Sequence, residues 1–403
     1  MKTIDGSIST PKGFRAQGVA CGLKKNGNPD LALVVCDVPA SAAGVFTRNL
    51  VKGHSLQRTI RLLPSSHVRA VVVNSGNANA CVGPQGDADA ESMARAVADA
   101  LGCSSVDVLT GSTGVIGLPL DMDKVSVGAR AAVASLEAGA AAGHRAEAAI
   151  MTTDLVPKEA CAAFDAGGHD VLVAGMAKGS GMIHPDMATM IAVITTDADV
   201  SSDFLYGAMR KVADRTFNRV SVDGDTSVCD MCVVLASGLA GNPRITSAAS
   251  EDGRRLVAAL EAVSTSLARE IARDGEGATK LVEIRCDGAS TPEDAYKVVL
   301  AVAKSPLVKT AFFGEDANWG RILTAAGYSG AQFDPRKVDV FLGDLQVCSG
   351  GAALPFDEAA AKAILHEREV TATIRLGVGG FSDRIWTCDF SYDYVKINGS
   401  YRS

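Results

Sequence analysis

Short apolar runs recur along the chain and predict buried strands. They cover residues 31–36, 69–73, 106–109, 171–174, 189–194, 231–235, 281–285, 338–342 and 370–376. The runs are short and rich in Val, Ile and Leu, and polar or glycine-containing segments separate them, as is typical of strands in a buried sheet.

Two longer stretches show the three- and four-residue spacing of amphipathic helices. Residues 88–101 place Met93, Val97 and Leu101 four positions apart. Residues 254–271 repeat apolar side chains in the same way, which predicts one apolar face on each helix.

Further helices are predicted from capping residues and composition. Thr291 before Pro292 is typical of a capped helix start, and this helix is expected to extend to about residue 304. Residues 131–149 are rich in alanine and predict a helix interrupted by glycine, since Gly139 and Gly143 lower the helix propensity.

Strands mixed with helices predict an α/β or α+β fold, in which helices cover sheets. The elements do not alternate strictly, and residues 370–398 are interpreted as consecutive strands. No phosphate-binding glycine motif lies between a predicted strand and a predicted helix. A doubly wound nucleotide-binding fold is therefore not favoured.

Length and charge narrow the functional class. A chain of 403 residues predicts two or three lobes. The net charge of −7, from 39 basic and 46 acidic residues, argues against nucleic-acid binding. Residues 1–13 lack the apolar core of a signal peptide, and no apolar run is long enough for a membrane span. We therefore expect a cytoplasmic protein.

The cysteines and histidines do not indicate a metal centre. The ten cysteines are scattered and are expected to be reduced and mostly buried. Cys229 and Cys232 form a lone C-x-x-C within a predicted strand, for which a structural role is favoured over redox or metal binding. The six histidines form no ligand-spaced pair, so no metal is expected.

A candidate nucleophile follows a loop rich in glycine and proline. The loop after Lys178 contains Gly179 and Gly181, which can bend it sharply, and leads to Thr189 at the start of an apolar run. If the bond between Ala188 and Thr189 were cut, Thr189 would carry a hydroxyl and an α-amine with a pKa of about 7.7–8.0. The amine would then serve as the base for the hydroxyl. On residue types alone, a structural role is the commoner interpretation.

Six other segments, together with residues 178–197, resemble the ornithine acetyltransferase family, also called glutamate N-acetyltransferases. These segments are residues 74–80 (NSGNANA), 112–117 (STGVIG), 151–154 (MTTD), 274–280 (DGEGATK), 314–321 (GEDANWGR) and 395–403 (VKINGSYRS). The resemblance extends along nearly the whole chain. It implies a layered α/β/α sandwich similar to that of D-aminopeptidases with a self-generated N-terminal nucleophile.

The resemblance also implies self-cleavage between Ala188 and Thr189. The products would be an alpha chain of residues 1–188 and a beta chain of residues 189–403, which stay associated. A heterotetramer of two alpha and two beta chains is the expected assembly.

An oxyanion hole is expected in residues 112–117, which are interpreted as a turn-prone loop after a strand. The Thr113 hydroxyl and the Gly114 backbone N–H are able to converge on one oxygen there. On these residues alone, an ordinary strand-to-loop turn is the favoured interpretation. The resemblance assigns the oxyanion hole to Thr113 and Gly114.

The resemblance further implies a set of substrate-binding residues: Thr152, Lys178, Thr189, Glu276, Asn398 and Ser403. Thr153 is the adjacent alternative to Thr152. Lys178 would neutralise a carboxylate and Glu276 would bind an amine or assist proton transfer, although a solvated lysine and an exposed carboxylate are the plainer interpretations. The C-terminal tail is expected to fold back over Thr189.

The activity implied is a two-step acetyl transfer. N-acetyl-L-ornithine would acetylate Thr189, and L-glutamate would take the acetyl group, with ping-pong kinetics. No cofactor is expected, and the motifs leave open whether acetyl-CoA also serves as a donor. Two alternatives remain open: an aminopeptidase or amidase with water as the acceptor, and a small-molecule-binding protein that never cleaves itself.

Overall fold

The computed structural model describes residues 1–184 and 190–400, which form two compact units. The first unit comprises Met1–Asn218 and Asp225–Leu267, and the second comprises Arg219–Gly224 and Ala268–Ser403. The predicted chain break at residue 188 thus falls inside the first unit. The division into alpha and beta chains stays a prediction.

A large mixed sheet forms the first unit. Its strands are β1 (Lys2–Ile4), β2 (Phe14–Val19), β3 (Leu31–Phe46), β4 (Ser65–Asn77), β5 (Val108–Val115), β6 (Glu159–Ala166), β7 (His169–Lys178), β8 (Ile191–Thr196) and β10 (Met231–Ala236), while β9 (Val220–Ser221) belongs to the second unit. The order across the sheet is β1-β6-β7-β8-β10-β3-β4-β5, with β2 paired to β3. β8 runs parallel to β10, and β4 runs parallel to β5.

Helices cover both faces of this sheet. They are α1 (His54–Leu62), α2 (Pro84–Leu101), α3 (Met122–Ala134), α4 (Ala140–Ile150), α5 (Ser202–Arg215) and the start of α6 (Glu251–Arg273). Leu31 and Leu33 of β3 pack in one core with α2 and α3, whereas Ala32 and Val34 pack in another with α4. Alternate side chains of a strand point to opposite faces. The predicted α/β/α layering is therefore confirmed.

A smaller sheet forms the second unit. Its strands are β9, β11 (Leu281–Ala289), β12 (Asp339–Leu342), β13 (Leu345–Ser349), β14 (Ala352–Ala353), β15 (Glu369–Arg375) and β16 (Phe381–Cys388), in the order β14-β13-β12-β15-β11-β16-β9. The later helices are α7 (Pro292–Lys304), α8 (Pro306–Phe313), α9 (Trp319–Gly327), α10 (Glu358–His366) and α11 (Tyr392–Gly399). Ile284 of β11 packs in the core with Val298 of α7 and Phe312 of α8.

Most predicted elements are confirmed. Every predicted apolar run lies in or overlaps a strand, and both amphipathic stretches form helices. The Thr291 hydroxyl accepts a hydrogen bond from the Asp294 N–H at 3.0 Å, which is the predicted cap of α7. The alanine-rich stretch breaks between α3 and α4, where Gly139 adopts a φ of +88°.

The prediction of consecutive strands over residues 370–398 was wrong beyond β16. Ser391 caps a final helix, α11, by accepting a hydrogen bond from the Asp393 N–H at 3.2 Å. None of the residues of this helix is buried. A helix of this kind needs no apolar face, so the spacing of apolar residues in the sequence did not indicate it. Val395 of this helix, for example, is 71% exposed.

Candidate active site

The residue after the predicted nucleophile is held tightly in the first unit. Ala188 and Thr189 lie outside the described residues, and β8 begins at Ile191, opposite Lys178 of β7. The Met190 N–H donates to Asp230 Oδ1 at 3.2 Å, and the Met190 carbonyl accepts from the Met231 N–H at 3.1 Å. Strands β7 and β10 therefore position the start of β8.

Buried groups surround this point. Burial raises the pKa of Asp230 well above its usual range, because it disfavours the charged carboxylate. Cys229 and Cys232 are buried free thiols, and the Cys229 thiol donates to the Ala78 carbonyl at 3.4 Å. Burial also raises the pKa of both thiols. These environments favour the structural interpretation of the C-x-x-C.

The backbone of the preceding loop differs from the expectation. Gly179 and Gly181 were expected to provide its bends, but neither has a positive φ, whereas Met182 has a φ of 56°. The left-handed conformation of this loop is therefore at Met182 and not at a glycine. A non-glycine residue in this region is uncommon and requires support from its surroundings.

The predicted oxyanion-hole residues lie in a strand rather than in a loop. Thr113 pairs with Ser75 and Gly114 pairs with Gly76, so these positions belong to the end of β5. Gly114 has a φ of +132°, and a Cβ there would lie 2.3 Å from the Gly76 carbonyl carbon. Only glycine fits this close approach.

Thr113 lies on a paired strand, where β4 holds its backbone in place. Its side chain is buried, since the residue is only 3% exposed. A hydroxyl on a paired strand moves little, which is the preorganisation that an oxyanion hole needs. The assignment of Thr113 and Gly114 to the oxyanion hole stays a prediction.

An amide network that sequence reasoning missed supports the end of β5. Asn74 accepts a hydrogen bond from the Ser112 hydroxyl at 2.6 Å, and its Nδ2 donates to the Asn77 carbonyl at 2.9 Å. Asn77 Nδ2 donates to the carbonyls of Leu118 and Pro119, both at 3.0 Å. The only signal in the sequence was a row of amides among small residues.

Lys178 is not the loop residue that was expected. It is the last residue of β7 and is only 2% exposed. Its Nζ lies 3.6 Å from Asp154 Oδ2, and Asp154 Oδ1 lies 2.8 Å from Lys158 Nζ. Asp154 and Lys158, which sequence reasoning did not select, thus form a buried charge cluster with Lys178.

The same carboxylate joins two predicted substrate-binding segments. Asp154 accepts hydrogen bonds from the Thr152 N–H at 2.9 Å and from the Gly179 N–H at 2.6 Å. Thr152 and Lys178, which are distant in sequence, are therefore brought together. This arrangement ties the 151–154 motif to the segment that leads to Thr189.

Two buried acids near Lys158, Asp154 and Glu147, have pKa values that are shifted in opposite directions. Burial disfavours the charged form of Asp154, yet Lys178, Lys158 and the hydrogen bonds hold its pKa well below its usual range. Burial raises the pKa of Glu147 to about 8, although the Lys158 N–H donates to its Oε1 at 2.9 Å. At neutral pH, Asp154 is therefore ionised and Glu147 is mostly protonated.

The protonation of Glu147 predicts a pH-dependent stability. Between its ordinary pKa of 4.5 and its folded value of about 8, the folded protein holds a proton that the unfolded chain has lost. The free energy of unfolding therefore falls as the pH rises through this window, by up to about 1.4 kcal/mol per pH unit. Glu147→Gln is expected to remove this loss, raising the melting temperature at pH 8 but hardly at pH 5.

Glu137→Gln is the matched control, because Glu137 is 64% exposed. Melting curves from pH 5 to pH 8 would be compared for the wild type and both variants. If Glu147→Gln shows the same pH dependence as the wild type, Glu147 does not carry the buried proton.

In the second unit, Glu276 meets Asn398. Glu276 is buried rather than exposed, and its Oε2 accepts from Asn398 Nδ2 at 2.8 Å. Asp389 anchors the loop of residues 274–280, because its carboxylate accepts hydrogen bonds from the Thr279 and Lys280 N–H groups at 2.8 and 3.0 Å. The described part of the C-terminal tail thus folds back onto this loop.

Contact with the C-terminal tail also explains why residue 277 is a glycine. A Cβ on Gly277 would lie 2.5 Å from the Tyr394 backbone nitrogen, and its φ is +70°. The prediction that the tail covers Thr189 is not tested, because Thr189 and Ser403 lie outside the described residues.

The comparisons with known proteins identify the family. A model described as the ArgJ family matches residues 15–403. The chain belongs to the ArgJ family. The arginine biosynthesis bifunctional protein ArgJ of Symbiobacterium thermophilum is 54% identical and is matched over 100% of both chains. The family predicted from the motifs is confirmed.

Solved ArgJ structures also match. The crystal structure of ArgJ from Bacillus halodurans is 41% identical, with a TM-score of 0.50, over 51% of this chain and 96% of that chain. The structure of ornithine acetyltransferase complexed with ornithine from Mycobacterium tuberculosis is 42% identical over 46% of this chain and 97% of that chain, with a TM-score of 0.42. In the part of the ArgJ chain that the structure describes, no helix is long and apolar enough to cross a membrane.

Proposed function

We propose that the chain transfers the acetyl group of N-acetyl-L-ornithine to L-glutamate through an acetyl-Thr189 intermediate. Membership of the ArgJ family makes it an enzyme of arginine biosynthesis, which confirms the predicted enzyme class. The observation that supports the site best is the buried Lys178 at the end of β7, directly opposite the start of β8. A buried ammonium group there would bind a substrate carboxylate beside Thr189.

Self-cleavage comes first in this proposal. Thr189 Oγ1 attacks the Ala188 carbonyl carbon, and the peptide C–N bond breaks, which frees the Thr189 α-amine and leaves an ester between Ala188 and the Thr189 oxygen. Water then hydrolyses this ester, which releases the Ala188 carboxylate and restores the Thr189 hydroxyl. The match to the Bacillus halodurans structure supports this step, since 96% of that chain corresponds to only 51% of this one. A chain of about half the length is what a cut near residue 188 would produce.

Acetyl transfer follows at the new N-terminus. The Thr189 α-amine takes the hydroxyl proton, and the oxygen attacks the acetyl carbonyl of N-acetylornithine. The oxyanion accepts hydrogen bonds from the Thr113 hydroxyl and the Gly114 N–H. Ornithine leaves with the proton, and the amine of glutamate then attacks the acetyl ester by the reverse path.

The remaining assignments are part of the same proposal. Thr152, Glu276, Asn398 and Ser403 would complete the substrate site, acetyl-CoA would be a second acetyl donor, and two alpha and two beta chains would assemble in the cytoplasm. The word bifunctional in the name of the Symbiobacterium relative supports a second donor reaction.

A product assay tests the reaction. The purified protein is incubated with N-acetylornithine and glutamate, and N-acetylglutamate, ornithine and free acetate are quantified. We expect N-acetylglutamate and ornithine in equal amounts, with parallel double-reciprocal plots. Acetate in place of N-acetylglutamate would indicate a hydrolase, and one uncut, inactive chain would indicate a binding protein.

Asn398→Ala tests the tail in the proposed site. The change removes the amide that donates to Glu276 and leaves a buried carboxylate with one partner fewer. Because hydrogen bonds to charged groups contribute about 1.5–3 kcal/mol, we expect KM for N-acetylornithine to rise at least about 10-fold. Steady-state kinetics measure this change, with Lys396→Ala on the exposed side of α11 as the control. Equal kcat/KM in the two variants would remove Asn398 from the site.

A further inference from the structure

We propose that Asp154 is a positioning residue that orients the Lys178 ammonium group toward the substrate carboxylate. In this arrangement Lys158 is the ion-pair partner of Asp154 whether or not substrate is bound. The inference rests on the proposed acetyl transfer and deepens it. Asp154 acts through Lys178 and need not contact the substrate.

The two lysines contact Asp154 differently. Lys158 Nζ lies 2.8 Å from Asp154 Oδ1 and also donates to the Val156 carbonyl at 3.2 Å, so it is held on two sides. Lys178 Nζ lies at the longer distance of 3.6 Å from Asp154 Oδ2. An ammonium group has three donors, and a loose ion pair leaves Lys178 able to donate to a second anion.

The charge balance of the cluster calls for such an anion. With both lysines protonated, Lys158, Lys178 and ionised Asp154 carry one excess positive charge, and all three side chains are at most 2% exposed. Glu147 is mostly neutral at pH 7 and does not cancel it. An uncompensated buried charge is costly, and a substrate carboxylate would remove that cost.

Among the described residues, two further charged groups near the cluster oppose each other. Lys24 is a further cation that interacts with Asp154 and Lys178, and Asp30 is the largest opposing charge that acts on it. Asp30 also accepts four backbone hydrogen bonds, from residues 21–24. Burial raises the pKa of Asp230 well above its usual range, which disfavours a negative charge on this side of Lys178.

The backbone contacts explain why a carboxylate is needed at this position. Asp154 accepts from the Thr152 and Gly179 N–H groups while it faces both lysines. Asparagine keeps the shape and one acceptor oxygen but loses the charge that attracts Lys178. Asp154→Asn therefore removes the charge that would orient Lys178 and keeps a side chain of the same size in its place.

Steady-state kinetics on Asp154→Asn test the inference, with rates normalised to the self-cleaved fraction measured on a denaturing gel. We expect KM for N-acetylornithine to rise roughly 10- to 100-fold, because an ionic hydrogen bond to the substrate is weakened. We expect kcat to change less than KM, because Asp154 does not contact the reacting atoms.

Two further variants separate positioning from stability. Asp197→Asn changes another buried carboxylate of the first unit, which accepts from the Leu172 N–H at 2.8 Å at the far end of β7, and should leave KM unchanged. Asp154→Asn combined with Lys158→Met removes both members of the tight pair, so that Lys158 is not left as an unpaired charge. KM should stay raised in this double variant, although its melting temperature recovers.

Two results would overturn the inference. One is an unchanged KM in Asp154→Asn, and the other is a return of KM to the wild-type value in the double variant, which would make Asp154 only the partner of Lys158. Neither result affects the proposed function, provided that the wild type forms N-acetylglutamate. A wild type without that activity would refute the proposed function directly.

Discussion

Thr189→Ala is expected to yield one uncut chain without measurable acetyl transfer. The substitution removes the oxygen that would attack the Ala188 carbonyl and would later carry the acetyl group. Removing the nucleophile of a serine protease lowers turnover by about 10⁶-fold, and a comparable loss is expected here. Denaturing gels, N-terminal sequencing and the N-acetylglutamate assay measure the result.

Thr189→Ser is the matched control, because it keeps the hydroxyl and loses only a methyl group. It should still cut and transfer, at reduced rates, while melting curves show that both variants fold. The mechanism is wrong if the wild type has no new N-terminus at Thr189, or if the alanine variant is cut at the same bond.

Thr113→Ala is expected to lower kcat by about 10²–10³-fold, the usual cost of losing one oxyanion donor. The hydrogen bond strengthens mainly as charge develops on the carbonyl oxygen, so KM should change little. The position favours such a role, because Thr113 lies on the paired end of β5 beside Gly114. Kinetics are measured on fully cut enzyme.

Thr113→Ser keeps the donor and should recover most of the turnover. Thr110→Ala, in the same strand, removes a hydroxyl that donates to the Ser55 carbonyl at 2.9 Å and therefore tests stability instead. Wild-type kcat in Thr113→Ala would exclude an essential role for its hydroxyl.

Local features of the chain were predictable from the sequence because their causes are local. Strands followed the apolar runs, and Thr291 capped α7 because its hydroxyl accepts a hydrogen bond from a residue only three positions along the chain. The motifs also identified the family. They could not show that residues 112–115 belong to β5, since small polar residues carry no apolar signal and the pairing partner lies in β4.

The sequence by itself thus determined the fold class, the family and a set of candidate residues, including Thr113, Lys178 and Glu276. Only the tertiary structure decided how these side chains are held. Lys178 is buried against Asp154 and Lys158, and Glu276 meets Asn398 across 122 positions of the chain. Burial and the charge of neighbours set the state of an ionisable group, and both depend on segments that folding brings together.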